Sequence, residues 1–352
     1  MTADRFATIT GRYPRLRVGV VGDMCLDRYL EIDPGRGEMS IETGLPVHNV
    51  VRVRSQPGAA GTILANLVAL GVGEIYPVGF CGEDGEGYEL ERALASLPGV
   101  GLNFFVRTPL RRTFTYCKPL VLEAGRPPRE LSRLDTKNWT ATPNELQRAL
   151  AANVSAVADR VDALILLDQV DLPDTGVVTR PVSEAASDAS EGRPGLVVLA
   201  DSRRGVAHLP PMGFKMNAAE LGALTAGRPA HDLPGVMACA ARVARSNARP
   251  VFVTLAERGV VGALADGASA HVAAHPVRGP IDVVGAGDAV TANLAAALAA
   301  GAGLVEAMEL AMAAASLVVH QLGTTGAAGV RQIADRLAAA DAERANPPVA
   351  PK

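Results

Sequence analysis

Residues 282–301 read DVVGAGDAVTANLAAALAAG. A glycine-rich turn, Gly285-Ala286-Gly287, meets Asp288 and then a long run of Ala and Leu. Ala and Leu are strong helix formers, so the turn is expected to become a helix N-terminus. The first N–H groups of a helix have no partner within it, and the macrodipole adds partial positive charge there. Such a turn can hold an anion, with one carboxylate beside it. Phosphoryl transfer needs both: donors for charge on the moving group and a base for the proton of an attacking hydroxyl. A plain structural reading is also open, in which Asp288 is only a first-turn acid.

Upstream, short apolar runs alternate with helical stretches. Strands are expected at 17–21, 75–80, 102–106, 163–167 and 195–200, with a glycine-joined pair at 250–255 and 260–265. Helices are expected from Pro57 to about residue 70, then at 85–97, 144–158 (capped by Thr142 or Asn144), 174–191, 217–224, 233–246, 286–300, 304–321 and 330–340. Strands alternating with helices imply βαβ units, a mostly parallel sheet and a ligand at the carboxyl ends of its strands. Residues 31–53 and 111–122 mix turn residues with short alternations and read as a β flap. Residues 1–345 read as one domain and 346–352 as a disordered tail.

Several classes fall away. The net charge of −3 and the lack of a basic stripe exclude nucleic acid as a main partner. Four dispersed cysteines and six scattered histidines suggest no metal site and no disulfide framework. The N-terminus lacks an apolar signal core, and the Ala-rich run 286–319 is broken by Gly301, Gly303, Glu306 and Glu309, so neither secretion nor a membrane span is expected. A cytoplasmic protein is the expectation. VGVVGD is not GxGxxG, which removes the usual dinucleotide-binding oxidoreductase.

Five further patterns carry candidate residues. Gly22-Asp23-Met24-Cys25-Leu26-Asp27 follows the first strand; a carboxylate there can accept from sugar hydroxyls or can be a turn acid. Pro57-Gly58-Ala59-Ala60-Gly61-Thr62, with Asn66 a turn later, offers small residues for close approach to a polar ligand or for tight packing. In Phe214-Lys215-Met216-Asn217-Ala218-Ala219-Glu220, Asn217 and Glu220 share a helix face and also match a capping box. Thr254 to Gly259 reads as a strand and turn. Arg107, Arg111, Arg112 and Lys118 form a basic group on the flap, either a solvated edge or a clamp on a substrate phosphate.

In this order, from about residue 17 to 340, the patterns resemble the ribokinase-like (PfkB) carbohydrate kinases. GAGD is similar to the end of that family's DTxGAGD signature. GDMCLDRY, with Ser132-Arg133-Leu134-Asp135 and the late LGTT, looks most like the bacterial heptose-7-phosphate kinases. The resemblance implies a three-layer α/β/α sandwich with a mostly parallel sheet and a small β lid, paired through such lids as a homodimer. It implies transfer of the γ-phosphoryl group of ATP to a sugar or sugar-phosphate hydroxyl, with Asp288 as base and the N–H groups of Gly285, Ala286 and Gly287 as anion hole. Asp27, then Asp23, Gly58, Ala59, Thr62 and Lys118 fall on the sugar side, and Thr254, Gly259 and Met312 on the nucleotide side. Asn217 and Glu220 would order water on Mg²⁺, and Asp282 is a candidate beside a K⁺ ion. No nucleotidyltransferase domain follows in the sequence, so a kinase alone is the expectation.

The chain departs from the family pattern at Ala59, Thr62, Ala256, Val283, Val284 and Met312. A kinase for a free sugar such as ribose or fructose, a nucleoside kinase, and a catalytically weak homologue that binds sugar or nucleotide therefore stand as alternatives.

Overall fold

The chain begins with helix α1 (Ala3–Thr10), β1 (Arg17–Gly22) and β2 (Met24–Ile32), followed by β3 (Glu38–Met39), β4 (Pro46–Val47) and β5 (Val50–Ala59). Next come α2 (Ala60–Ala69), β6 (Glu74–Gly82), α3 (Gly85–Ala95), β7 (Phe105–Thr108), β8 (Thr115–Val121), β9 (Arg129–Glu130) and β10 (Leu134–Thr136). The middle holds α4 (Asn144–Ala158), β11 (Ala163–Asp168), α5 (Arg180–Gly192), β12 (Val197–Ser202), β13 (Gly213–Asn217), α6 (Ala218–Leu224) and α7 (Leu233–Asn247). It closes with β14 (Val251–Thr254), β15 (Val260–Ala263), β16 (Ser269–Val272), α8 (Ala286–Ala299), α9 (Leu304–Val318) and α10 (Val330–Ala345). This computed structural model describes residues 1–225, 232–323 and 325–345; the expected tail and Thr324 lie outside them.

Nine strands form the main sheet in the order β16-β15-β14-β13-β12-β11-β1-β6-β7. The seven from β14 to β7 are parallel, and β15 and β16 add an antiparallel edge. A parallel sheet must be covered on both faces, and its strands accordingly read as apolar runs. On β11, Ala163, Ile165 and Leu167 pack with α2, α8 and α9, while Leu164 and Leu166 face α4, α5 and α7. This is the α/β/α sandwich.

The chain runs from β1 outward to β6 and β7, then returns to place β11 on the other side of β1. The resulting switch point opens at the carboxyl ends of β1 and β11. Asp23 closes its base: Oδ1 accepts the N–H of Val177 at 2.7 Å and Oδ2 that of Gln169 at 3.0 Å.

The flap is larger than its sequence suggests. Its sheet has the order β10-β8-β2-β5, with β9 also on β8, and draws its strands from residues 24–32, 50–59 and 115–136, while β3 and β4 pair with each other apart from it. The expected turn at 24–27 is strand, because β2 stays in register with β5 from Met24↔Ala59 to Glu31↔Arg52. Pro57 and Gly58 consequently belong to β5, and the helix starts at Ala60. Strands β13 and β16 were not legible as strands. Helix α5 begins at Arg180, since Asp174 has φ +58° and Pro181 sits in the first turn. Thr142 does not cap α4; its hydroxyl donates to Gly176 O at 2.7 Å.

Gly259 turns the chain between β14 and β15 at φ +96°, and a Cβ there would fall 2.0 Å from Val272 O. Gly259→Ala is expected to lower stability by about 2–4 kcal/mol, read from the urea midpoint. An unchanged midpoint would contradict this turn.

Candidate active site

Asp27 lies on β2 where that strand leaves the main sheet for the lid, and it is buried. A Cβ on Gly58 would stand 2.7 Å from Asp27 Oδ2, so only glycine leaves the carboxylate its place. Lys118, from β8, donates to Asp27 Oδ1 at 3.1 Å and lies over the Tyr29 ring, 4.9 Å from its centroid. Burial alone would depress the Lys118 ammonium, but Asp27 beside it raises its pKa overall. Asp27 and Lys118 therefore form one polar unit under the lid.

The turn at 285–288 faces this unit. Gly285 has φ +82°, and a Cβ on it would come within 3.5 Å of Thr62 Cγ2 and of Thr325. Gln56 on the lid strand β5 donates to Thr325 Oγ1 at 2.9 Å, which ties the lid to the loop after α9. Thr62 is buried and its hydroxyl has no partner among the described residues. The N–H of Ala286 bonds Val283 O at 3.2 Å, whereas those of Gly285, Gly287 and Asp288 have no protein acceptor among the described residues. Three donors of this turn are thus open among the described residues, while that of Ala286 is already engaged.

Asp288 stands half-buried in the first turn of α8. Burial pushes its pKa up to about 7; Asp201 and Asp27 add to the rise and Lys215 opposes it. A carboxyl poised near neutrality can take a proton from a hydroxyl and later release it. Asp201, at the end of β12, binds Lys215 Nζ at 2.7 Å, and Thr291 from α8 lies 3.5 Å from the same carboxylate oxygen.

Asn217 and Glu220 make a full capping box: Asn217 Oδ1 accepts the N–H of Glu220 at 2.9 Å and Glu220 Oε2 that of Asn217 at 2.7 Å. Burial raises the Glu220 pKa. Thr254 donates to Met216 O at 3.3 Å at the end of β14. Asp282 ties two loops, with Oδ1 on the N–H of Val284 and Oδ2 on that of Gly323.

Several expectations change at this point. Asp23, offered as a second sugar contact, already accepts from two backbone N–H groups and anchors the switch point. Met312, offered on the nucleotide side, is packed in the core with residues of α8 and α9. The basic clamp does not assemble: Arg107 pairs with Glu91, Arg111 bonds Thr140, Arg112 pairs with Asp84, and Lys118 is held by Asp27. Gln56, Thr325, Asp201 and Lys215 were missed. A lone lysine in an apolar strand is the signal that could have exposed Lys215, because buried charges mark functional sites more often than surface ones.

The profile described as pfkB family carbohydrate kinase matches residues 24–329. The chain belongs to the pfkB family of carbohydrate kinases. It is 31% identical over 326 residues to the bifunctional protein HldE of Bradyrhizobium sp. (strain ORS 278), an alignment covering 91% of this chain and 63% of that protein. The chain therefore spans somewhat under two thirds of that relative's length. Among solved structures, Arabidopsis thaliana ribokinase complexed with ribose and ATP superposes with a TM-score of 0.63 at 22% identity, covering 92% of this chain and 98% of that one. Escherichia coli phosphofructokinase-2 in complex with potassium gives 0.70 at 19% identity, with 93% and 99% covered. These likenesses fix the fold.

Two departures of this chain from its family pattern now have a physical reading. Ala59 has φ +52° and ψ −118°, and Ala256 has φ +52°, the left-handed half of the map that favours glycine. The backbone keeps the glycine shape although the residue is alanine. Ala59→Gly is expected to stabilise the protein by about 1 kcal/mol, strain relief outweighing the entropy gained by the unfolded chain. A lower Tm in the variant would refute the strain.

Proposed function

We propose that this kinase transfers the γ-phosphoryl group of ATP to a hydroxyl of a sugar phosphate of the heptose-7-phosphate type. The observation that carries the phosphoryl-transfer reading is the turn at 285–288, where three N–H groups without a partner among the described residues sit beside a carboxyl poised near neutrality. The substrate class is supported by GDMCLDRY and by the likeness to a bifunctional HldE protein.

Asp27, fixed by Lys118 and Gly58, accepts hydrogen bonds from sugar hydroxyls and orients the acceptor. Asp288 removes the acceptor's proton as its oxygen forms a bond to the γ-phosphorus. The bond between that phosphorus and the bridging oxygen breaks, and ADP leaves with the electron pair. The N–H groups of Gly285, Gly287 and Asp288 take charge on the moving group, where preorganised donors act most strongly.

Among the described residues no three His, Cys, Asp or Glu side chains gather as a metal cage. That donor set fits an ion carried mainly by the nucleotide, as Mg²⁺ is, with few protein ligands. Mg²⁺ bound with ATP would supply charge neutralisation. Glu220 uses Oε2 in the cap, leaving Oε1 and the second lone pair of Asn217 Oδ1 to accept from water around the ion. Asp282 already bonds two backbone N–H groups, so no step is assigned to K⁺.

A free-sugar substrate is the second reading, favoured by the dispersal of Arg107, Arg111 and Arg112 onto local partners. The lid edge β5 exposes Val50, Val51 and Val53, which supports pairing of two copies through it. Four free cysteines, three of them buried, suit a reducing cytoplasm. Among the described residues no helix is long and apolar enough to cross a membrane.

A coupled ADP-release assay across sugars, sugar phosphates and nucleosides tests the proposal. The highest kcat/KM is expected for a seven-carbon sugar phosphate; preference for its unphosphorylated form selects the second reading. Asp288→Asn should lower kcat by about 10²–10⁴. The base must be ionised, so kcat/KM should fall about tenfold per pH unit below about pH 7. The raised pKa also means that ionising Asp288 destabilises the fold as pH climbs from the ordinary carboxylate range through about 7. Asp288→Asn should therefore raise Tm at pH 8 and change it little at pH 4. A variant with normal turnover and unchanged Tm would remove Asp288 from this role.

A further inference from the structure

Lys215 takes no part in the proton transfer or in seating the sugar, yet its position is unusual. It lies in the middle of β13 between the buried Phe214 and Met216 and is only 7% exposed. A buried ammonium is expensive unless paired. Its pairing is to Asp201 Oδ2 at 2.7 Å, and it makes no other hydrogen bond among the described residues. An ammonium has three donors, so two remain. Burial by itself would depress the Lys215 pKa, but Asp201 raises it overall, with Asp288 and Glu220 adding to the effect, so the side chain is a cation at neutral pH.

The ammonium is aimed at the glycine turn. A Cβ on Gly287 would stand 3.1 Å from Lys215 Nζ. The residue at 287 thus leaves open the space into which the cation points. The same turn presents the N–H groups of Gly285, Gly287 and Asp288 without protein acceptors among the described residues. A cation and several free donors directed at one turn describe a site for a multiply charged anion.

We propose that Lys215 is the cationic arm of this anion hole, taking charge on the γ-phosphoryl group during transfer while Asp201 holds the ammonium in place. The proposal rests on the phosphoryl-transfer reading of the turn and extends it to a residue on a different strand. Lys215 acts on the γ-phosphoryl group, so its contribution distinguishes ATP from ADP.

Lys215 is one of three charged groups facing Asp288, with Asp201 on β12 and Asp27 on β2. Glu220 on α6 faces Lys215 itself. Removing the ammonium leaves Asp201 uncompensated, which should make Asp288 a harder group to ionise.

The test compares Lys215→Met with the double variant Lys215→Met/Asp201→Asn, in which the buried pair is removed together and no lone charge remains. Binding of Mg·ATP and Mg·ADP is measured by calorimetry and turnover by ADP release. Lys215→Met should bind Mg·ATP about tenfold or more weakly while binding Mg·ADP as the parent does. Its kcat should fall by about 10²–10³, the range for losing one preorganised donor. Its acid limb in kcat/KM should move to higher pH. The double variant should fold normally and keep both the weak ATP binding and the low kcat. Recovery of ATP affinity and kcat in the double variant would overturn the proposal, because Lys215 would then serve only to neutralise Asp201. Equal loss of ATP and ADP affinity would overturn it as well. If the parent binds Mg·ATP but phosphorylates no acceptor, the kinase reading fails, and the ATP-to-ADP comparison still decides the role of Lys215.

Discussion

Parallel strand pairing is the constraint on which the rest of this molecule depends. Seven parallel strands bury their backbone ladder only if helices cover both faces. That requirement sends the chain through α2, α8 and α9 on one side and α4, α5 and α7 on the other. It also makes β1, β11, β12, β13 and β14 end on one edge. Asp23, Asp168, Asp201 and Asn217 all occur where those strands stop. An edge crowded with carboxylates is costly in isolation, and each one finds a specific remedy. Asp23 takes two backbone N–H groups, Asp168 takes Ser202 and Arg204, and Asp201 takes Lys215.

Asp288 is the exception, and its chemistry follows from that. It enters the same edge from the N-terminus of α8 without a direct ion pair among the described residues. Burial and the charge of Asp201 hold it near neutrality, and Lys215 keeps the shift from going further. The lid closes over this point by a different principle. Strand β2 passes from the end of β1 straight into the lid sheet, so Asp27 is placed by the main sheet and covered by the lid at once. Gln56 joins the lid to Thr325 and hence to the glycine turn. The position of the lid is thereby coupled to the two ends of the site through short polar contacts.

The substituted glycines show how far a signature can drift while its geometry persists. At Ala59 and Ala256 the backbone occupies conformations that glycine adopts without strain. The surrounding pairing, β2 with β5 and β14 with β15, over-determines the local shape and imposes it on alanine. Thr62 brings a buried hydroxyl without a partner among the described residues close to the turn at Gly285. These changes alter what lines the site more than how it is built.

Sequence by itself determined the alternation of strands and helices and the glycine turn before α8 with Asp288 in its first turn, while Asp27 and Gly58 were offered only through the family resemblance. The alternation and the turn are encoded locally, in apolar runs, in helix propensity and in turn chemistry. It also suggested a capping box at Asn217 and Glu220, which formed. Tertiary structure alone decided the extent of the lid, since β2 reads as a turn until β5 pairs with it over ten residues of chain. It dispersed Arg107, Arg111 and Arg112, because each met its own acceptor, at Glu91, Thr140 and Asp84. It also brought Lys215 to Gly287, although helices α6 and α7 and strands β14 to β16 separate the two in sequence. No local pattern encodes that meeting, because electrostatic partners are fixed by strand order and helix packing rather than by spacing along the chain.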